Sequence, residues 1–334
     1  MALLVCGAEG EWAIFENTLD VLGLDDKRRG SVLVPVGNQM FKAFTGSDDI
    51  WVHCRMASAS APTTIGSPAP QEYLQVRDST GAVICSLKYV TNNVAGVGLE
   101  TQITYDDGGT ITVGEVFPAA ENDFNVWDIR IEISTVSNPD DTKKLSFYFN
   151  QQLRFTTTLT DAGGYNQAAQ ILIAPRRTIA EEDVYVQDII VSDAVPTVGM
   201  ELAILVPSAV GNYSAFTNDY TNIDDIGYNA SDVISTTTPT DRESWVFSTP
   251  TFDLGDKVIY ALVLDTVAQL DVGATITDFQ PFVRIASTDY AGASLSANAI
   301  TPDSYLTIWT DNPATTAPWT EADLIGLEAG VLAQ

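Results

Sequence analysis

Residues that commonly carry chemistry are scarce in this sequence. Among 334 residues there is one histidine, His53, and three cysteines, Cys6, Cys54 and Cys85. A histidine-dependent triad or a spaced four-ligand metal site cannot be assembled from these by spacing. An odd cysteine count without framework spacing also argues against a disulfide-built secreted fold. His53 and Cys54 are adjacent, and adjacent side chains on a strand point to opposite faces, so both read as structural rather than as half of a metal site. No Gly-x-Ser-x-Gly elbow, phosphate loop or dinucleotide fingerprint occurs.

Cations are scarce as well. The chain carries 16 Lys+Arg against 44 Asp+Glu, a formal net charge of -28, with only 18% charged residues overall. Such a surface repels phosphate backbones and anionic lipid, and it keeps a densely displayed protein soluble. No stretch approaches the roughly 20 apolar residues of a membrane span. The opening Met1–Gly7 has no basic region, Glu9 and Glu11 interrupt its apolar run, and Val5 is too large for a lipoprotein box before Cys6. The expectation is synthesis in the cytoplasm without a signal peptide.

What is abundant is period-two alternation and a 45% apolar fraction that can build a core. Trp127-Asp128-Ile129-Arg130-Ile131-Glu132-Ile133 sets apolar side chains on one face and charges on a wet one. Leu145-Ser146-Phe147-Tyr148-Phe149-Asn150 repeats the form after the turn-rich Ser137-Asn138-Pro139-Asp140-Asp141. Asp106-Asp107-Gly108-Gly109 supplies the positive φ of a tight hairpin. Further strands are expected over 31–36, 50–56, 72–77, 82–89, 170–174, 184–192, 279–286 and 304–310. The stretch 258–264 is apolar on both faces, as for a strand covered by a second sheet.

Helix is sparse. Thr320 with Asp323 reads as a capping box, followed by Leu324, Leu327 and Val331 at helical spacing, and 16–24 reads as a short second helix. A change in character near Asp193–Met200 divides the chain into expected domains 1–195 and 200–334. The fold class expected is all-β: two β-sandwich, jelly-roll-like domains with a short C-terminal helix.

Carboxylates are the one plentiful reactive material. Asp48-Asp49, Asp140-Asp141 and Asp224-Asp225 are close pairs, yet each sits in turn-like sequence and reads as solvated turn. The loop holding Asp224, Asp225, Asn229 and Asp232 offers hard oxygens for calcium but lacks the fixed EF-hand spacing, so it reads as a polar loop. Trp51, Trp127 and Phe147 sit at core spacing; Tyr213, Phe216, Tyr220 and Tyr228 lie in polar sequence and read as packing the loop or a neighbouring subunit. Asn212-Tyr213-Ser214 and Asn229-Ala230-Ser231 match glycosylation acceptors, which matter only on a secretory route. No catalytic residue, metal ligand or cofactor is expected, and no ligand-binding residue is singled out.

The succession 127–133, 145–153 and Tyr185-Val186-Gln187-Asp188-Ile189-Ile190-Val191-Ser192-Asp193 resembles concanavalin A-like, laminin-G-like jelly rolls. The opening Val206-Pro207-Ser208-Ala209-Val210-Gly211-Asn212-Tyr213-Ser214-Ala215-Phe216 and the ending Trp309-Thr310-Asp311-Asn312-Pro313-Ala314-Thr315-Thr316-Ala317-Pro318-Trp319-Thr320-Glu321-Ala322-Asp323-Leu324 resemble tail-associated virion structural proteins of tailed bacteriophages. The resemblance implies a non-enzymatic virion component of the tail tip, baseplate or fibre with a lectin-like domain. Its implied partners are other virion proteins, copies of itself in a trimer or other symmetric assembly, and a host surface glycan, with no nucleic acid and no membrane insertion. Subunit contacts are expected in 309–331. Capsid decoration is the first alternative, and a two-carboxylate polysaccharide depolymerase and a free lectin are the others.

Overall fold

The computed structural model describes residues 3–6, 13–14, 18–20, 31–34, 40–58, 71–91, 99–107, 110–118, 125–133, 142–160, 167–173, 184–193, 195–224, 231–249, 258–271, 273–298 and 301–334. The chain divides into two compact units, the first reaching Leu202 and the second running Ala203–Gln334.

The first unit is a sandwich of two antiparallel sheets. One sheet runs, in spatial order, Gln152–Thr160, Thr142–Phe149, Asn125–Ile133, Asp49–Ser58, Val184–Asp193, Ser31–Val34 and Thr18–Asp20, with Leu3–Cys6 also paired to Val184–Asp193. The other runs Thr110–Pro118, Leu99–Asp107, Val83–Thr91, Gln71–Asp78, Ala168–Ile173, Met40–Ser47 and Ala13–Ile14. Alternation decides which side chains lie between them. Ile50, Val52, Cys54 and Met56 point inward beside Trp127, Ile129, Ile131, Leu145 and Phe147; Leu74, Val76, Cys85, Leu87, Ile103, Ile171 and Ile173 meet them from the facing sheet. Each fully buried side chain of this kind stabilises by about 1.5–3 kcal/mol.

Turn chemistry fixes the registers. Thr110 pairs with Asp107, so the hairpin expected at Asp106–Gly109 forms, its two glycines lying outside the described residues. Asp78 organises the next turn: its Oδ1 accepts from Thr80 N, Thr80 Oγ1 and Ala82 N at 2.7–2.9 Å, and Gly81 takes φ +90. A bulge between Gln187 and Ile190 places Asp188 at φ 47.

The second unit stacks the ribbon Leu262–Ala268/Asp303–Trp309 on an antiparallel sheet ordered Pro207–Ser214, Arg242–Phe247, Glu328–Ala333, Asp278–Ile285 and Thr288–Ala291. Leu295–Ser296 also pairs with Asp278–Ile285. Trp245, Phe279 and Val331 form the core, joined by Phe216, Tyr220 and Tyr305, and Phe279 meets Tyr305 edge-on at 5.2 Å. A second cluster gathers Trp319, Leu324 and Leu327 with Leu205, Ile259, Leu262, Ile285 and Trp309.

Four sequence expectations are corrected. The C-terminal helix spans only Glu321–Leu324, and Val331 lies in the strand Glu328–Ala333. Gly326, at φ 68, takes the left-handed conformation that ends helices. Thr18–Asp20 is strand, paired to Ser31–Val34, where helix was expected over 16–24; the rest of that stretch lies outside the described residues. The strand expected over 258–264 begins only at Leu262, and Val258 and Tyr260 are 61% and 47% exposed, so the first part of that stretch is not covered on both faces. Asp128 faces away from the core as expected, but it is completely buried, so that position is not wet.

Candidate functional site

Side chains at the positions between the core residues decide what the first unit can do chemically. Trp51 and His53 alternate with Ile50, Val52 and Cys54, so they lie on the face opposite the core. Trp51 is thereby corrected from core to outer face. It is 4% exposed, with Tyr148 5.5 Å away centroid to centroid and the Arg130 guanidinium 5.2 Å over its ring. Arg130 donates to both carboxylate oxygens of Asp49, at 3.0 and 2.8 Å, and this pairing holds its pKa above the ordinary guanidinium value. Glu132 forms ion pairs with both Arg130 and Lys144.

His53 sits directly across the ladder from Asp128, and its Nδ1–H donates to Asp128 Oδ1 at 2.7 Å. Thr197 Oγ1 donates to the same oxygen at 2.7 Å. All three residues are buried. The carboxylate fixes the imidazole tautomer, which leaves Nε2 as the acceptor. No hydroxyl or thiol among the described residues lies within hydrogen-bond distance of Nε2. The pair therefore has the orienting half of a relay but no described nucleophile to act on. Cys54 points into the core, where burial first and Asp128 second push its thiol pKa far up; burial pushes Cys85 up to about 12 despite Lys143. Both cysteines are free and buried, unlike the exposed, low-pKa thiols that react.

The second unit brings together residues from five strands. Asp289, on Thr288–Ala291, accepts from Tyr213 Oη at 2.8 Å, from Arg242 Nη1 at 2.6 Å and from Arg284 Nη1. Both guanidinium groups lie over the Tyr213 ring, at 5.3 and 5.2 Å. Glu328 Oε1 accepts from Ser244 Oγ at 2.7 Å and from Asn212 N at 2.6 Å. Close approach between the neighbouring strands requires glycine: a Cβ on Gly330 would lie 2.1 Å from Glu243 O and 2.8 Å from Phe282 Cζ. On the opposite face Glu243 is buried, and burial raises its pKa although the Phe216 and Ala215 N–H groups oppose the shift. Beside this network lies an open depression of about 350 Å³ lined by Asn212, Tyr213, Ser214, Ala215, Thr240, Asp241 and Arg242.

The remaining candidates fall elsewhere. Asp48 accepts from Gln167 at 2.8 Å, and Asp49 belongs to Arg130. Asp140, Asp141, Asp225, Tyr228 and Asn229 lie outside the described residues. Asp232 accepts from the Asn222 amide, and no group of three or more His, Cys, Asp or Glu able to hold a metal occurs among the described residues. Phe216 and Tyr220 pack on the core, whereas Tyr213, among the described loop aromatics, enters a polar network. Arg242, Arg284, Asp289 and Glu328 carry no sequence motif, and sequence reasoning misses them. The 309–331 segment turns Trp319, Leu324, Leu327 and Val331 inward, so those side chains offer no apolar area to another subunit; Ile325 is 64% exposed.

No family model and no curated protein matches the chain. Several solved structures align with it at low similarity. The receptor binding domain of botulinum neurotoxin D aligns with 58% of this chain and 45% of its own, at 10% identity and TM-score 0.39. An endo-beta-1,4-glucuronan lyase from the fungus Trichoderma reesei aligns over 58% of this chain and 95% of its own, at 9% identity and TM-score 0.41. The receptor binding domain of the botulinum neurotoxin C/D mosaic serotype covers 98% of this chain and 93% of its own, at 8% identity and TM-score 0.38. No helix among the described residues is long and apolar enough to cross a membrane. The antiparallel sheets themselves make this an all-β protein of sandwich architecture.

Proposed function

We propose that the protein is a non-enzymatic structural component of a tailed-bacteriophage virion, carried in the tail at its tip, baseplate or fibre. Its neighbours there are other virion proteins and symmetry-related copies of itself, and its outward contact is a host surface glycan. The observation that supports this reading best concerns the ending that resembles tail-associated proteins. That ending is an internal structural motif: Trp319 Nε1 donates to Trp309 O at 2.8 Å, Asn312 Nδ2 donates to Asp323 Oδ1 at 3.0 Å, and Thr320 Oγ1 donates to Asp323 Oδ2 at 2.6 Å. Residues that hold the second unit together account for such a motif without any catalytic role. A tail protein acts by multivalency, since weak contacts multiply when several copies share one particle. Closed symmetry sets the copy number.

Imaging of intact phage particles with gold-labelled antibody raised to this chain tests the reading. Label at the tail end is expected. Label over the head would move the protein to capsid decoration. Particles that stay unlabelled while dissociated, blotted particles also lack the chain would remove it from the virion altogether.

A further inference from the structure

We infer that the depression beside Tyr213 binds a neutral, hydroxyl-rich saccharide. This site and ligand class specify the glycan contact of the proposed function and rest on that reading for their biological sense. The lining is polar and its charges cancel, with one carboxylate, Asp241, and one guanidinium, Arg242. The volume, about 350 Å³, falls within the roughly 300–1,000 Å³ of small-ligand sites.

The two charged groups are held at one end and open at the other. Asp241 Oδ2 accepts from Thr236 Oγ1 at 2.6 Å, and its Oδ1 has no partner among the described residues. Arg242 gives Nη1 to Asp289 and Tyr213, while its Nε and Nη2 have no hydrogen-bond partner among the described residues. Its side chain is 41% exposed, against 14% for Arg284, which is divided between Asp289 and Glu328. The Asn212 amide and the Ser214 and Thr240 hydroxyls add donors and acceptors with no side-chain partner among the described residues. Planar amide, carboxylate and guanidinium groups pair with adjacent sugar hydroxyls two bonds at a time, which a point charge does not.

Backbone conformation sets where Thr240 stands. Thr240 takes φ 75, a genuine outlier for a β-branched residue, and is kept there by Thr240 N donating to Ala333 O at 3.0 Å. Thr240 belongs to the turn in which Asp241 N donates to Thr238 O at 3.3 Å, and that turn fixes the rim of the depression. Ligand charge is decided by the remainder of the molecule. A chain of net charge -28 disfavours anions at long range, and Asp241 disfavours them at contact. A lone carboxylate is a poor cation site, and only Tyr213 and Ala215 offer apolar area.

Saturation-transfer NMR and calorimetry on the full chain test the site. The probes are methyl glycosides of glucose, galactose, mannose and N-acetylglucosamine, with N-acetylneuraminic acid as the anionic comparison. Saturable binding of at least one neutral glycoside is expected, with a dissociation constant on the order of 1 mM. Asn212→Ala and Asp241→Asn should each weaken it by about 3- to 10-fold, the loss of one hydrogen bond. Asn212→Ala should leave the unfolding midpoint unchanged, because that amide has no protein partner among the described residues. No saturable binding of any neutral probe, undiminished binding by both variants, or preference for N-acetylneuraminic acid would overturn the inference. Sugar binding by a protein missing from particles would keep the site and remove the virion reading, and tail label without sugar binding would do the reverse.

Discussion

Glu243 shows how one burial choice sets a pH dependence. It stands between Arg242 and Ser244 on a central strand, and alternation turns it to the core face, where it is 1% exposed. Its carboxylate accepts from Phe216 N at 2.9 Å, but burial dominates and the nearby Asp219 adds repulsion, so its pKa lies above the ordinary carboxylate value. A raised folded pKa means that the folded state holds the proton more tightly than the unfolded state. The associated stability is complete below the ordinary carboxylate range and is lost as pH rises through the raised value. Glu243→Gln keeps the acceptor for Phe216 N and removes the buried charge. The variant should therefore unfold at a higher temperature than the parent at pH 7, and the gap should close as pH falls through the carboxylate range. Thermal melts of both proteins from pH 3 to 8 check this, and a gap that widens in acid would refute it.

At the scale of elements, two hairpins turn on residues poorly suited to their backbone. Asn150 and Gln151 take φ 48 and 66, and Ala286 and Ser287 take φ 46 and 70, the paired left-handed geometry of a two-residue turn matched to strand twist. Asparagine accepts that conformation readily; alanine and serine cost roughly 1–2 kcal/mol each. Replacing Ala286-Ser287 by Asn-Gly should stabilise the second unit by about 1–2 kcal/mol, measured as a higher urea midpoint at unchanged slope. The same turns explain what was legible in the sequence. Strands with clean alternation, such as Asn125–Ile133 and Val184–Asp193, stand out, and so does the Asp-Gly hairpin signal. Ala286-Ser287 carries no such signal, and Thr288–Ala291 after it has nothing to announce it. Gln152–Thr160 is hidden because an edge strand rich in threonine shows little apolar period, and Glu328–Ala333 because two alanines leave little apolar signal on its core face. The spacing of Leu324, Leu327 and Val331 fits a helix, yet Ala329, Val331 and Ala333 also fit period two, and Gly326 marks where one gives way to the other. The Tyr213 network could not be read at all, because Arg242, Arg284, Asp289 and Glu328 meet only through the register of separate strands.

For the whole molecule, charge is the dominant unbalanced quantity. With 44 acidic residues and 16 cations, complete pairing of every Lys and Arg would still leave 28 carboxylates facing only one another. Ion pairs such as Arg130–Asp49 and Arg242–Asp289 consume cations locally, but surface pairs contribute only about 0–1 kcal/mol each. Repulsion among the excess carboxylates acts over the screening length, about 30 Å at 0.01 M salt and about 10 Å at 0.1 M. Added salt therefore weakens a few pairs slightly and relieves a repulsion that spans the surface, and the second effect wins. The thermal midpoint should rise as NaCl is increased from about 10 to about 150 mM, with EDTA present so that adventitious divalent cations do not mimic the effect. A falling midpoint would mean that the arginine pairs outweigh the surplus and that the acidic groups are spaced widely enough to ignore one another. Assembly is subject to the same repulsion: copies gathered on one particle add their charges, so self-association should also strengthen with salt, read as a shift to larger species in sedimentation velocity over the same range. Association that weakened with salt would instead point to an interface made of opposite charges, for which this chain has few cations to spare.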